Sequence, residues 1–306
     1  MDRRKGELMS RVLRVIIVAF SLVTVGLAGV SAQDATPAAS SALASLGLPE
    51  LKVTITDTGI QAPAEASAGL TYVTLDNQSQ TIADATFVVQ PKGLTLKQIA
   101  ADLAQQETIP DWVYTTTFAG GPVAPAGGTG AAIVDLSAGD WLIALTDSES
   151  SPSPATLKVT GEAESAKSGA EPADLKFTMK GYKFDFPDEV AAGQQVWEVT
   201  NDDPIPHFAV LLRYPGPVTE QDVEALLSAD SATPPANLTI DPAKIEDGGY
   251  VPLHTQGKIS WVEMNLTPGT YIALCFMSDK GSQVPHAAMG MYDIFTVPGA
   301  GATPTS

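Results

Sequence analysis

Cysteine and histidine are the scarcest chemistry-bearing residues in this 306-residue chain: there is one cysteine and there are three histidines. A single Cys, at position 275, excludes any disulfide framework within the chain. It leaves two readings of that thiol, a small buried hydrophobe or a group held by something that uses its thiolate. Basic residues are also few, 17 against 35 acidic, for a formal net charge of -18. Such a chain is repelled by nucleic-acid backbones and anionic membrane surfaces, so neither is expected as a partner. Charged residues make up 17% of the chain, below the usual quarter, whereas Gly and Pro number 26 and 23. That balance favours short strands and turns over helical bundles. No Gly-x-Ser-x-Gly elbow, phosphate loop or His-Glu-x-x-His helix occurs.

The amino terminus carries Arg3, Arg4, Lys5, Arg11 and Arg14, followed by an uncharged apolar run over 15–30 and then Val30-Ser31-Ala32. A basic segment, an apolar core and small residues at a cleavage point predict an export signal cut near Ala32, and hence an extracellular, periplasmic or cell-surface protein. The competing reading is an uncleaved membrane anchor, because about 16 apolar residues approach the ~17 that cross a bilayer.

Beyond the signal (1–32) and a flexible Ala/Ser/Thr-rich lead (33–48), two segments resemble each other. We expect domains over 49–160 and 174–298, a linker over 161–173 and a tail over 299–306. Each segment opens on an alternating strand, Leu51-Lys52-Val53-Thr54-Ile55-Thr56 and Leu175-Lys176-Phe177-Thr178-Met179-Lys180. Each continues through a strand ending in Asn, at Asn77 and Asn201, and then a second strand. A short helix with a capping-box start follows, Thr95-Leu96-Lys97-Gln98 and Thr219-Glu220-Gln221-Asp222. These helices are expected to run to about Gln105 and Leu227. Each copy ends in a Gly-turn into a strand reading Ile-Ala-Leu. Short alternating strands at this spacing predict an all-β chain of two tandem Greek-key β-sandwich domains, each with a short inserted helix.

In the second copy Asn201 precedes His207 by six residues, and later come Cys275, His286, Met289 and Met291, the last three in Pro285-His286-Ala287-Ala288-Met289-Gly290-Met291. Two imidazoles, a thiolate and a thioether are the ligand types of a type 1 copper site. Soft sulfur suits Cu(I), imidazole tolerates Cu(II), and a rigid sandwich holds both states in one geometry. Taken singly, each of these residues is equally at home in a core; their order along one sandwich is what joins them.

The second copy, over 174–297, resembles the cupredoxin family of plastocyanin-like blue copper proteins. The resemblance implies one copper held by His207, Cys275, His286 and Met291, with Met289 the weaker axial candidate. It implies neutral imidazoles, a thiolate, and an electron-transfer or copper-holding role with a redox or copper-donor protein as partner. Ten residues separate Cys275 from His286, more than in small blue copper proteins, and the middle of that loop is polar.

The first copy has Ala83 or Asp84 at the His207 position, Leu145 or Thr146 at the Cys275 position, and no His. It is expected to bind no metal and to have a structural or partner-binding role. His254 has no ligand position to match and is expected at the surface. With two histidines assigned, one remains, too few for a second copper centre, and the chain is expected not to be an enzyme. The competing function is a metal-free module of the same fold that binds a protein or small molecule.

Overall fold

The computed structural model describes residues 42–103, 109–146, 153–163, 165–167, 169–228 and 235–299. The expected export signal lies outside the described residues. In the first half the strands are β1 (Glu50–Thr56), β2 (Gly59–Gln61), β3 (Glu65–Ser67), β4 (Gly69–Asn77), β5 (Ala83–Asp84) and β6 (Thr86–Val89). Helix α1 (Leu96–Leu103) separates these from β7 (Val123–Ala124), β8 (Thr129–Leu136), β9 (Gly139–Ala144) and β10 (Ala155–Thr160). The second half has β11 (Leu175–Lys180), β12 (Lys183–Asp185), β13 (Gly193–Asn201) and β14 (His207–Tyr214), then helix α2 (Glu220–Ser228). It closes with β15 (Glu246–His254), β16 (Ile259–Leu266), β17 (Gly269–Leu274) and β18 (Tyr292–Val297).

The opening strands alternate as their sequences predict: Leu51, Val53 and Ile55 are buried along β1, and Leu175, Phe177 and Met179 along β11. Each lies parallel to the strand that ends in Asn, in the same register, with Ile55 opposite Asn77 and Met179 opposite Asn201. The chain is therefore all-β in architecture, built as cupredoxin-like sandwiches. Both capping boxes form. Thr95 N–H donates to Gln98 Oε1 at 2.9 Å and Gln98 N–H to Thr95 Oγ1 at 3.3 Å, and the Thr219–Asp222 pair does the same at 3.0 and 3.2 Å. The two copies also share an anchor before their Ile-Ala-Leu strand: Trp141 Nε1 donates to Ser137 O at 2.8 Å, and Tyr271 Oη to Thr267 O at 3.0 Å.

The Asn residues close the same corner twice. Asn77 Nδ2 donates to Thr81 O (2.8 Å) and Ala124 O (3.0 Å), while Asn201 Nδ2 donates to Ile205 O and His254 O, both at 2.8 Å. Ala83 pairs with Ala124 as His207 pairs with His254, so Ala83 occupies the His207 position of the first copy. A compact side chain with no donor atom stands there, which accounts for the expected loss of a metal ligand.

The two halves are more intimately joined than tandem domains on a linker. β16 pairs antiparallel with β8, with Trp261 opposite Ile133, and this fuses one sheet of each half into a continuous eight-stranded sheet ordered β12-β11-β13-β16-β8-β4-β1-β2. Two edges that would otherwise template aggregation thus satisfy one another. Two four-stranded sheets, β3-β10-β9-β6 and β15-β14-β17-β18, pack against it. A second seam runs through Ala119 and His254, where Gly120 N–H donates to Leu253 O at 3.1 Å and Thr255 N–H to Phe118 O at 3.1 Å. The lead expected to be flexible to residue 48 is packed at its end: Leu43–Leu46 forms a 3-10 turn, and Leu43 is buried with Tyr72, Ile133 and Trp261. Within the expected linker, Ala166 N–H donates to Asp135 and Gly169 N–H to Glu198.

Candidate metal centre

Four strand ends of the second half converge. His207 is the first residue of β14, Cys275 follows β17 directly, His286 opens the 3-10 turn His286–Met289, and Met291 precedes β18. The backbone knits these positions together. Ala287 N–H donates to Cys275 O and His286 N–H to Met277 O, both at 2.7 Å; Met291 N–H donates to His286 O at 2.8 Å and Cys275 N–H to Met291 O at 3.2 Å. Gly290, at φ 102, supplies the left-handed turn that takes the chain from the 3-10 turn into β18.

His207, Cys275 and His286 are fully buried. Cys275 Sγ lies 3.5 Å from His207 Nδ1 and 3.8 Å from His286 Nδ1, and the two Nδ1 atoms are 3.1 Å apart. Metal–N bonds of about 2.0 Å and a metal–S bond of about 2.3 Å, opened by roughly 100–130°, require N···S near 3.3–3.9 Å and N···N near 3.1–3.6 Å. The triangle fits one ion.

The far side of each ring explains why the near side is a ligand set. His207 Nε2 faces Asp203 Oδ2 at 3.1 Å and His286 Nε2 faces Asp279 Oδ1 at 3.3 Å. A carboxylate only accepts, so each Nε2 carries the proton. Burial, with His286 close by, pulls the His207 pKa down to about 4 against the pull of Asp203; burial also lowers that of His286. Both rings are therefore neutral at pH 7, and two bare Nδ1 lone pairs confront each other in a buried site. A cation bound between them would resolve that repulsion. Burial pushes the Cys275 thiol up to about 12, although the backbone amides of Phe208 and Met277 point at the sulfur and favour its anion. A bound metal ion would supply the opposite charge that favours the thiolate. The second half is cupredoxin-like.

The axial candidates of this cupredoxin-like half separate by exposure: Met291 is fully buried in the core that contains Cys275 and Met277, whereas Met289 is 46% exposed. His254, expected at the surface, is instead fully buried. Its Nδ1 lies 2.6 Å from Pro252 O and its Nε2 2.7 Å from Ser260 Oγ, and it sits in the seam between the halves. Gly/Pro-rich surroundings suggested a loop there; the residues in fact form β15, buried by pairing with β14 and by the first half.

Three residues around the site escaped the sequence reading: Asp203, Asp279 and Tyr182. Tyr182, at φ 55, shares the β11–β12 hairpin turn with Gly181, at φ 58. Positive φ at both central positions is the hairpin geometry that matches strand twist. The turn lays the Tyr182 ring edge-on to His286, centroids 4.8 Å apart, and its Oη donates to Asp279 Oδ1 at 2.8 Å. Only Asp203 left a sequence signal, as the second residue after a strand-ending Asn: Asp203 N–H donates to Asn201 Oδ1 at 2.8 Å.

No family model matches the sequence, and no curated protein matches it. Among solved structures it is similar to dithionite-reduced auracyanin from Roseiflexus castenholzii, at 22% identity over 40% of this chain and 95% of that one, with a TM-score of 0.25. Auracyanin A of Chloroflexus aurantiacus, described as a "blue" copper protein, gives 19% identity over 40% and 95%, with a TM-score of 0.24. A multicopper oxidase aligns at 12% identity over 81% of this chain and 88% of its own, with a TM-score of 0.22. Likeness this distant assigns no role to the chain. With multicopper oxidases among the similar structures, the expectation that the chain is not an enzyme stands without support. Scarcity of histidine bears on a second copper centre within the chain, not on whether such a chain belongs among enzymes.

Proposed function

We propose that the chain is an exported copper protein that binds one ion through His207, Cys275 and His286, with Met291 as axial ligand, and that it serves electron transfer or copper holding. The observation that carries this reading is the convergence of two bare imidazole nitrogens and one sulfur in a buried triangle of 3.1, 3.5 and 3.8 Å. Copper would supply one-electron exchange between Cu(I) and Cu(II). The chain's own residues hold the imidazoles through Nε2 and bury the ligand atoms away from water. Side chains standing apart would have favoured the metal-free reading; the grouping of His207, Cys275 and His286 supports the copper reading instead.

Electron transfer draws support from the surface. Val284 and Met289, 44% and 46% exposed, are the large hydrophobics that stand out to solvent among the described residues, and both lie within three residues of His286. They put an apolar rim beside a loop whose sequence is polar in the middle, where a redox partner would dock. Export rests on the amino-terminal signal, and among the described residues no helix is long and apolar enough to cross a membrane. The division into units over 49–160 and 174–298 remains our proposal for the repeat.

Titrating purified protein with Cu(II) tests the site. A blue thiolate-to-copper charge-transfer band should saturate at one equivalent, and Cys275→Ser should abolish it. A folded protein that stays colourless would refute the proposal.

A further inference from the structure

The ten-residue loop between Cys275 and His286 has a structural reason. It returns Asp279 over the ring edge of His286, where its Oδ1 meets Nε2 at 3.3 Å and accepts from Tyr182 Oη at 2.8 Å. Asp203 treats His207 likewise at 3.1 Å, and Tyr182 N–H points at the same Asp203 oxygen at 3.4 Å. Tyr182 thus touches both carboxylates, and among the described residues it is the non-glycine residue with positive φ.

The loop is in turn held from the other half of the molecule. Tyr114, in the 3-10 turn Asp111–Tyr114 of the first half, donates its Oη to Ser278 O at 2.7 Å, one residue before Asp279. Lys280, one residue after it, pairs with Asp111 at 3.1 Å. Both ends of that ion pair are exposed, so the buried-side phenol bond is the stronger of the two holds.

We propose that Asp279 is a positioning residue for His286, matched by Asp203 on His207, and that the metal-free first half serves the site by holding the Asp279 loop through Tyr114. Each carboxylate accepts the Nε2 proton, which fixes the ring with Nδ1 toward Cys275. The pair also places two negative charges behind the ligands, which favours the more highly charged copper ion. This inference rests on the copper reading for its redox consequence, but the ring positioning is testable without metal.

In metal-free protein, long-range proton–nitrogen NMR should show both imidazoles as neutral Nε2–H tautomers. Asp279→Ala should release His286 into a tautomer mixture and leave His207 unchanged, with Asp279→Asn as the near-isosteric variant that keeps the fold. Tyr114→Phe, which touches neither histidine, should loosen His286 in the same sense. In copper-loaded protein, removing the Asp279 charge should shift the ratio of Cu(II) to Cu(I) affinity about tenfold toward Cu(I), a rise of about 59 mV for a one-electron couple. Tyr114→Phe should move it the same way by a smaller factor. A merely structural role would lower the melting temperature and leave tautomer and ratio alone. An Nδ1–H tautomer for His286, or variants that leave its tautomer unchanged, would overturn the proposal. Positioned tautomers in a protein that takes up no copper would sink the copper reading and leave the positioning intact.

Discussion

Gly120→Ala probes the seam that joins the two halves. Gly120 has φ +72, and a Cβ there would lie 2.4 Å from both Cε1 and Nε2 of His254 and 3.0 Å from Ser260 Oγ. The ring cannot swing away. Pro252 O holds its Nδ1 at 2.6 Å and Ser260 Oγ its Nε2 at 2.7 Å, and the residue is fully buried. An L-residue in the left-handed region costs about 1–2 kcal/mol, and overpacking a tight core a further ~1–3 kcal/mol. The sum, about 2–5 kcal/mol, corresponds to a fall in melting temperature of roughly 3–9 °C for a protein of this size. Calorimetry or circular dichroism would measure it. Because the collision is with one ring, Gly120→Ala combined with His254→Ala should cost about 1–3 kcal/mol less than the two single changes added together. A loss below about 1 kcal/mol, or strict additivity, would refute the reasoning. The effect should reach the metal site, since His254 O accepts from Asn201 Nδ2, and Asn201 sets the turn that presents Asp203.

Two other outcomes are expected. His207 and His254 are each held near a pKa of about 4 by burial, below the ~6.5 of an unfolded chain. Between those values the unfolded chain takes up protons that the folded one refuses. Stability should therefore be intact above about pH 6.5 and fall by about 3 kcal/mol per histidine as pH drops toward 4; urea unfolding at several pH values measures this, and a flat profile over that window would contradict it. Asn201→Ala removes two donors to the carbonyls of Ile205 and His254 and the acceptor for Asp203 N–H. It should cost about 2–4 kcal/mol and weaken copper uptake, whereas Asn77→Ala in the first copy should cost stability alone. Equal copper affinity in both variants would remove Asn201 from the account of the site.

The strand pattern and the helix starts were legible because they are written in local chemistry. Alternation in β1 and β11, a strand-ending Asn in each copy, and Thr-x-x-Gln or Thr-x-x-Asp at a helix start each act within a few residues. The four candidate ligands were legible for a related reason: soft and borderline donors are scarce here, so their grouping at strand ends stood out. The placement of His254 was misread because its burial comes from elements distant in sequence, the Phe118–Gly120 backbone on one side and β14 on the other. Asp203, Asp279 and Tyr182 carried little or no signal, since an Asp or Tyr in a polar loop or hairpin turn is ordinary until closure brings it to a ring.

By itself the sequence determined the strand pattern, the lack of histidine in the first copy, and the stock of two imidazoles, one thiol and two candidate thioethers. These follow from side-chain chemistry and period-two burial, which need only short stretches of chain. Tertiary structure alone decided that β16 and β8 make one sheet of two halves, that Nε2 of His207 and of His286 meets a carboxylate, and that Tyr114 reaches Ser278 across the seam. Such contacts join residues far apart along the chain. Their energies depend on distance and direction in space, quantities that no local pattern of residues carries.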